Sequence, residues 1–186
     1  MAAGDGLIVM QPTSIVVAGA GSSASINADG GVDFDAVTEL SLNGVFTASH
    51  DNYLVVVRFT SSGATSVDMR LRAAGTDNST ASSYVAQYIQ ANGTTVSGAR
   101  QTSNIRLDVL TPLATQRCGA NMHFYGPYLA QPTAMRVVTV LDRSSAEIVD
   151  QAHTHNQSTA YDGFTIFRDT SPQTLTGNIV VFGYEE

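Results

Sequence analysis

Apolar and polar residues alternate with a period of two through nearly the whole chain, and no segment carries a convincing helical stripe. In "SVDMRLRA", Val67, Met69, Leu71 and Ala73 fall on one side and Asp68, Arg70 and Arg72 on the other. "NIRLDV" repeats the pattern, with Ile105, Leu107 and Val109 against Arg106 and Asp108. "NYLVVVRF" is apolar on both faces and reads as a central strand. "TELSLNGVF" sets Leu40 and Leu42 on one face before a turn at Asn43–Gly44, and "YVAQYIQ" sets Tyr84, Ala86 and Tyr88 together. "NMHFYG", "MRVVTVL", "AEIVDQAH", "FTIFRD" and "NIVVFGY" supply strands for the second half, with "SSAEIVDQAH" as the one short helical candidate. Roughly ten strands at a spacing of about 8–15 residues predict an all-β antiparallel sandwich, jelly-roll-like. Pro12 splits the apolar runs "GLIVM" and "SIVVA", so residues 1–27 read as an N-terminal arm or edge strands and 28–186 as the sandwich domain.

Charge narrows the chemistry. Charged residues make up 13% of the 186, about half the usual share, so solubility rests on hydroxyls and amides that suit strand faces and turns. The basic residues are all arginines, which removes any Schiff-base lysine or phosphate-gripping lysine loop. A net charge of −7 argues against nucleic acid as a partner, because that binding runs on basic stripes and released counterions. Cys118 is the single cysteine, so neither a disulfide framework nor a cysteine zinc site is expected. No apolar run reaches membrane-spanning length and "MAAGDGLIVMQPTS" lacks the pattern of a signal peptide. Synthesis in a cytoplasm without membrane insertion is the expectation.

The residues that could carry chemistry each have a plainer alternative. His153 and His155 of "HTH" would share a face on a strand, as a metal pair needs, but no patterned third ligand accompanies them and polar loop histidines are expected. Asp29, Asp33 and Asp35 crowd a flexible turn without the spacing of a calcium loop. "GAGSS" precedes neither a helix nor a lysine, and His50–Asp51 have no placed nucleophile. No catalytic residue, metal or cofactor is therefore expected. The tyrosines could stack on sugars, although core packing with an anchored hydroxyl suits most of them. Arg70 and Arg72 on one strand face are either an interface, where Arg is favoured, or a solvated face paired across strands. The apolar residues Leu7, Ile8, Val9, Ile15, Val16 and Val17 are candidates for docking on a neighbour, and Thr76, Asp77, Asn78, Ser79 and Thr80 for an outward-facing loop.

Several stretches, "MQPTSI", "LSLNGVFTASHDNYLVVVRF", "MRLRAAGTDNSTASSYVAQY", "TTVSGAR", "YGPYLAQPTA" and "YDGFTIFRDTSPQTLTGNIVVFGY", span most of residues 10–184. Together they resemble small β-sandwich structural proteins of tailed bacteriophages, especially those of actinobacterial hosts, of minor-tail, tail-fibre or head-decoration type. His50 departs from the pattern, standing where an aromatic is common. The resemblance implies a non-enzymatic virion protein, assembled in the host bacterial cytoplasm and displayed on the particle surface. A capsid decoration protein attached to the major capsid protein is the favoured expectation, and a minor-tail or fibre-tip module gripping host glycan is the alternative. By the same analogy the chain is expected to be a homo-oligomer, a homotrimer.

Overall fold

The computed structural model describes residues 6–110, 117–141, 147–169 and 172–185. Among them the chain forms strands β1 (Leu7–Val9), β2 (Ser14–Ala18), β3 (Ser23–Ile26), β4 (Val32–Val37), β5 (Glu39–Asn43), β6 (Asn52–Ser61), β7 (Val67–Ala73) and β8 (Thr76–Asp77). The second half adds β9 (Tyr84–Asn92), β10 (Thr95–Asn104), β11 (Leu107–Leu110), β12 (Arg117–Tyr125), β13 (Thr133–Leu141), β14 (Glu147–His155), β15 (Gly163–Arg168) and β16 (Leu175–Tyr184). They build two antiparallel sheets packed as a sandwich. The large sheet runs β10-β9-β14-β13-β12-β6-β16-β4-β3, with β1 also on β16, and the small sheet runs β11-β7-β15-β5-β2, with β8 on β7. These layers are larger and less equal than the paired sheets of an eight-stranded jelly roll.

Alternation sets the core. Val55, Val57 and Phe59 of β6, Met122 and Phe124 of β12, and Ile179 and Val181 of β16 face inward from the large sheet. Leu40 and Leu42 of β5, Met69 and Leu71 of β7, and Phe164 and Ile166 of β15 meet them from the small one. β6 lies between β12 and β16, the central position its apolar run predicts. Val45, Phe46 and Tyr53 close one end of this core. The Tyr53 hydroxyl accepts the Thr47 N–H at 2.8 Å and lies 2.9 Å from the His50 carbonyl, pinning the segment that enters β6.

The N-terminal segment is woven into both sheets. β1 pairs with the end of β16, β2 forms the edge of the small sheet on β5, and β3 forms an edge of the large sheet on β4. The short helical candidate is instead β14 over Glu147–His155, paired along its length with β13 and β9. The predicted turn at Asn43–Gly44 is present, with Gly44 at φ 72° and closely backed by Thr13.

Candidate functional site

The outer face of the small sheet carries the arginine row, and there it is a bonded network. Arg72 is 8% exposed. Its guanidinium donates to Asn43 Oδ1 at 2.8 Å, to Thr165 Oγ1 at 2.9 Å, to the Asp77 carboxylate and to the Gly75 carbonyl. Thr165 also donates to Asp77 at 2.6 Å and lies 2.9 Å from the Ser41 hydroxyl. Arg70 donates to the Ile105 carbonyl at 3.1 Å and stacks its guanidinium 4.6 Å from the Phe167 ring centroid. The second sequence expectation, charges satisfied between neighbouring strands, describes Arg72 well. Loss of its side chain strands a half-buried carboxylate. Arg72→Ser is expected to cost about 2 kcal/mol and lower Tm by several degrees, whereas Arg70→Ser should cost well under about 1 kcal/mol. Thermal denaturation of the two variants checks this.

Asp77 and Asn78 are likewise tied inward, although the sequence suggests an outward loop. Thr76–Asp77 form β8, and Asn78 donates to the Tyr161 hydroxyl at 2.7 Å while its carbonyl accepts the Tyr84 hydroxyl at 2.9 Å. Thr76, Ser79 and Thr80 remain exposed. Along the N-terminal segment, Ile15 and Val17 pack against the core, while Val16 and the β1 residues Leu7, Ile8 and Val9 stay exposed. Docking residues on β2 therefore reduce to Val16, because strand parity turns its two neighbours inward.

Asp68 at the other end of the row is buried under Arg106, whose Nε lies 2.9 Å from Asp68 Oδ2 and whose Nη2 lies 2.7 Å from Asp169 Oδ1. No donor is aligned on either Asp68 oxygen. Burial first, then the Asp108 carboxyl across the ladder, push the Asp68 carboxyl up to about 8 against the pull of Arg106.

His153 and His155 do share a face, but the face points into the sandwich. They are 2% and 0% exposed on β14, not in a polar loop. His155 Nε2 sits 2.5 Å from the Tyr161 hydroxyl and its ring lies 4.2 Å from that of Tyr84, while neither nitrogen of His153 has a partner. Burial drives both imidazoles down to about 4. Among the described residues no group of three His, Cys, Asp or Glu is placed to hold a metal ion.

These groups set opposite pH slopes. Unfolded histidines take protons near 6.5 but the buried ones resist to about 4, so across that window the unfolded chain binds more protons and stability falls as pH falls. Asp68 holds its proton to about 8 when folded but releases it near 3.8 when unfolded, so its contribution is lost as pH rises between those values. Two histidines outweigh one carboxyl below 6.5, and Asp68 alone acts above it. Stability is expected to peak near pH 6.5, and Asp68→Asn should flatten the alkaline limb in a Tm series from about pH 4 to 9.

The remaining candidates have structural jobs. Asp33 accepts from Asn178 Nδ2 at 2.8 Å and Asp35 from Thr176 Oγ1 at 2.7 Å, tying β4 to β16. "GAGSS" is a turn closed by Ser22 onto the Gly19 carbonyl, and His50 Nδ1 meets the Tyr184 carbonyl at 2.9 Å. Cys118 is buried, as are Tyr53, Tyr84 and Tyr161. Tyr125 and Tyr128, with Leu129, are exposed at the β12–β13 turn.

Neither a family model, nor a curated protein, nor a solved structure matches the chain. Function must therefore be argued from the surfaces themselves.

Sequence reasoning missed the outer face of the large sheet. There Ile89, Val96, Val140 and Ile148 are 60%, 71%, 54% and 48% exposed. The available signal was "RVVTVL", an apolar run that implies burial on both faces. In the structure one of those faces is open.

Proposed function

We propose that the chain is a non-enzymatic accessory structural protein on the exterior of a tailed-phage virion, attached to the major capsid lattice. The observation that carries this reading is the division of labour between polar and apolar residues. Arg72, Asp77, Asp68, His155 and the buried tyrosines are spent on holding the sandwich together. What the surface offers is apolar strand: Leu7, Ile8 and Val9 on β1 and Val16 on β2, each 37–50% exposed. That is the profile of a molecule whose work is contact. Assembly as a symmetric homotrimer, expected by analogy, would multiply several modest contacts into tight attachment.

Immunogold labelling of purified particles tests the reading. Gold distributed over the capsid supports it; gold confined to the tail, or absent, overturns it. A second reading, a tail module that grips host glycan, is favoured by Tyr125, Tyr128 and Leu129, which stand exposed together at the β12–β13 turn. Binding of the isolated protein to host cells, lost on Tyr125→Ala with Tyr128→Ala, would establish that alternative.

A further inference from the structure

The chain carries a net charge of −7, yet one of its faces is cationic. Strand parity and register place Arg58, Arg100, Arg117 and Arg136 on the outer side of the six adjacent strands β10-β9-β14-β13-β12-β6, with Asp150 as the acid among them. Arg136 and Asp150 neutralise each other through a two-pronged pair at 3.0 and 2.7 Å. Arg58, Arg100 and Arg117 make no ion pair among the described residues.

Beside these charges lies one unbroken apolar row. Val96, Ala91, Ile148 and Val140 are successive partners across four strands, so they form one row. In the next row Ile89, Val138 and Val56 alternate with Asp150 and Asn121, and Ile89 is 60% and Val56 38% exposed. Gly119 then follows Val140 in register and Arg58 follows Gly119, so the apolar row dips into a cleft at its end. That cleft has a volume of about 470 Å³, and Arg58, Arg117, Asp33, Thr60 and Thr176 are its polar lining. Asp33, bonded to Asn178, and Asp35, bonded to Thr176, keep their negative charge, so the two guanidiniums exceed the one carboxylate of the cleft lining by a single positive charge.

The six strands, spaced about 4.8 Å apart and about 30 Å long, present on the order of 800 Å², the share one partner contributes to a stable protein–protein interface. Nucleic acid has no use for the apolar row.

We infer that this face docks on a different protein, whose surface carries an exposed apolar band and, next to it, a carboxylate that enters the cleft between Arg58 and Arg117. The inference rests on the particle-attachment reading and names the surface that makes the attachment. Apolar contact supplies the bulk of the binding, and the paired guanidiniums fix register through planar bonds to the carboxylate.

The test is co-sedimentation of purified protein with particles that lack it, using variants with wild-type melting temperatures. Val140→Asp with Ile148→Asp is expected to weaken binding at least about 100-fold, and Arg58→Glu with Arg117→Glu at least about 10-fold. Arg70→Ser, on the opposite sheet, should bind as wild type. Added salt should weaken the wild type more than the Arg58→Glu, Arg117→Glu variant. Wild-type binding that survives Val140→Asp with Ile148→Asp overturns the inference and leaves particle attachment standing. Failure of the wild type to bind removes the attachment reading, and the docking partner with it. Dimerisation of the free protein, abolished by the same pair, would overturn the inference in favour of a self-interface.

Discussion

Phe46→Ala is expected to destabilise the protein by about 4 kcal/mol, the largest loss from a single truncation at this end of the core. Phe46 is fully buried, and its ring centroid lies 4.8 Å from that of Tyr53, 5.1 Å from Phe124 and 5.7 Å from Phe164. These four rings come from the segment before β6, from β6 itself, from β12 and from β15, so the cluster joins the two sheets. Truncation removes apolar area and leaves a cavity that strands held by their ladders cannot close. For a chain of this length the loss corresponds to a Tm drop of roughly 10 °C. Phe46→Leu, which keeps most of the volume, should cost less than half as much. Urea denaturation of the two variants measures the difference, and a loss below about 1 kcal/mol for Phe46→Ala would contradict the packing described.

Gly163→Ala is the second large effect. A Cβ at Gly163 would lie 2.0 Å from the Leu42 carbonyl oxygen and 3.1 Å from the Asn43 Cα, both of them backbone. No rotamer change relieves a clash with backbone, so β15 must move away from β5, whose pairing begins at the next residue, Phe164 with Leu42. About 3 kcal/mol of destabilisation is expected. Gly119→Ala is the matched control, because its Cβ would sit at an ordinary 3.4 Å from the Val57 carbonyl. That change should fall within about 0.5 kcal/mol of wild type. Equal melting temperatures for the two variants would sink the steric account.

Much of the fold was legible because parity is local. The sets Val67, Met69, Leu71 and Leu40, Leu42 follow from alternation alone, and all are buried. The central place of β6 follows from its unbroken apolar run. The sign of a face is less local than its parity. β14 separates Ile148, Asp150, Ala152 and Thr154 from Glu147, Gln151, His153 and His155, and the structure buries the second set. A sequence rule that sends histidines outward fails there, because the partners that enclose them come from β9 and from Tyr161, far along the chain. The partners of the arginine row were out of reach for the same reason. Its outward direction is correct, but the cover over Arg72 comes from β8 and from Asn43 on β5, and the cover over Asp68 from Arg106 and Asp169.

The same limit hid the apolar face of the large sheet. Two adjacent valines such as Val137 and Val138 tell a reader that both sides of a strand are apolar. Whether a second layer covers the outer side depends on the count and width of the sheets. Among the described residues the small sheet spans five strands in its main path and lies on one side only. The excess of apolar residues in these strands thus becomes surface, and surface of that kind is where a partner belongs.

The most direct measurement is a cryo-electron microscopy map of the purified particle at a resolution that separates β-sheets. Density for this two-sheet sandwich is expected on the capsid lattice, with Val140, Ile148 and the Arg58–Arg117 cleft turned toward the lattice protein. A bare capsid, with the sandwich at the tail tip or missing from the particle, would contradict it.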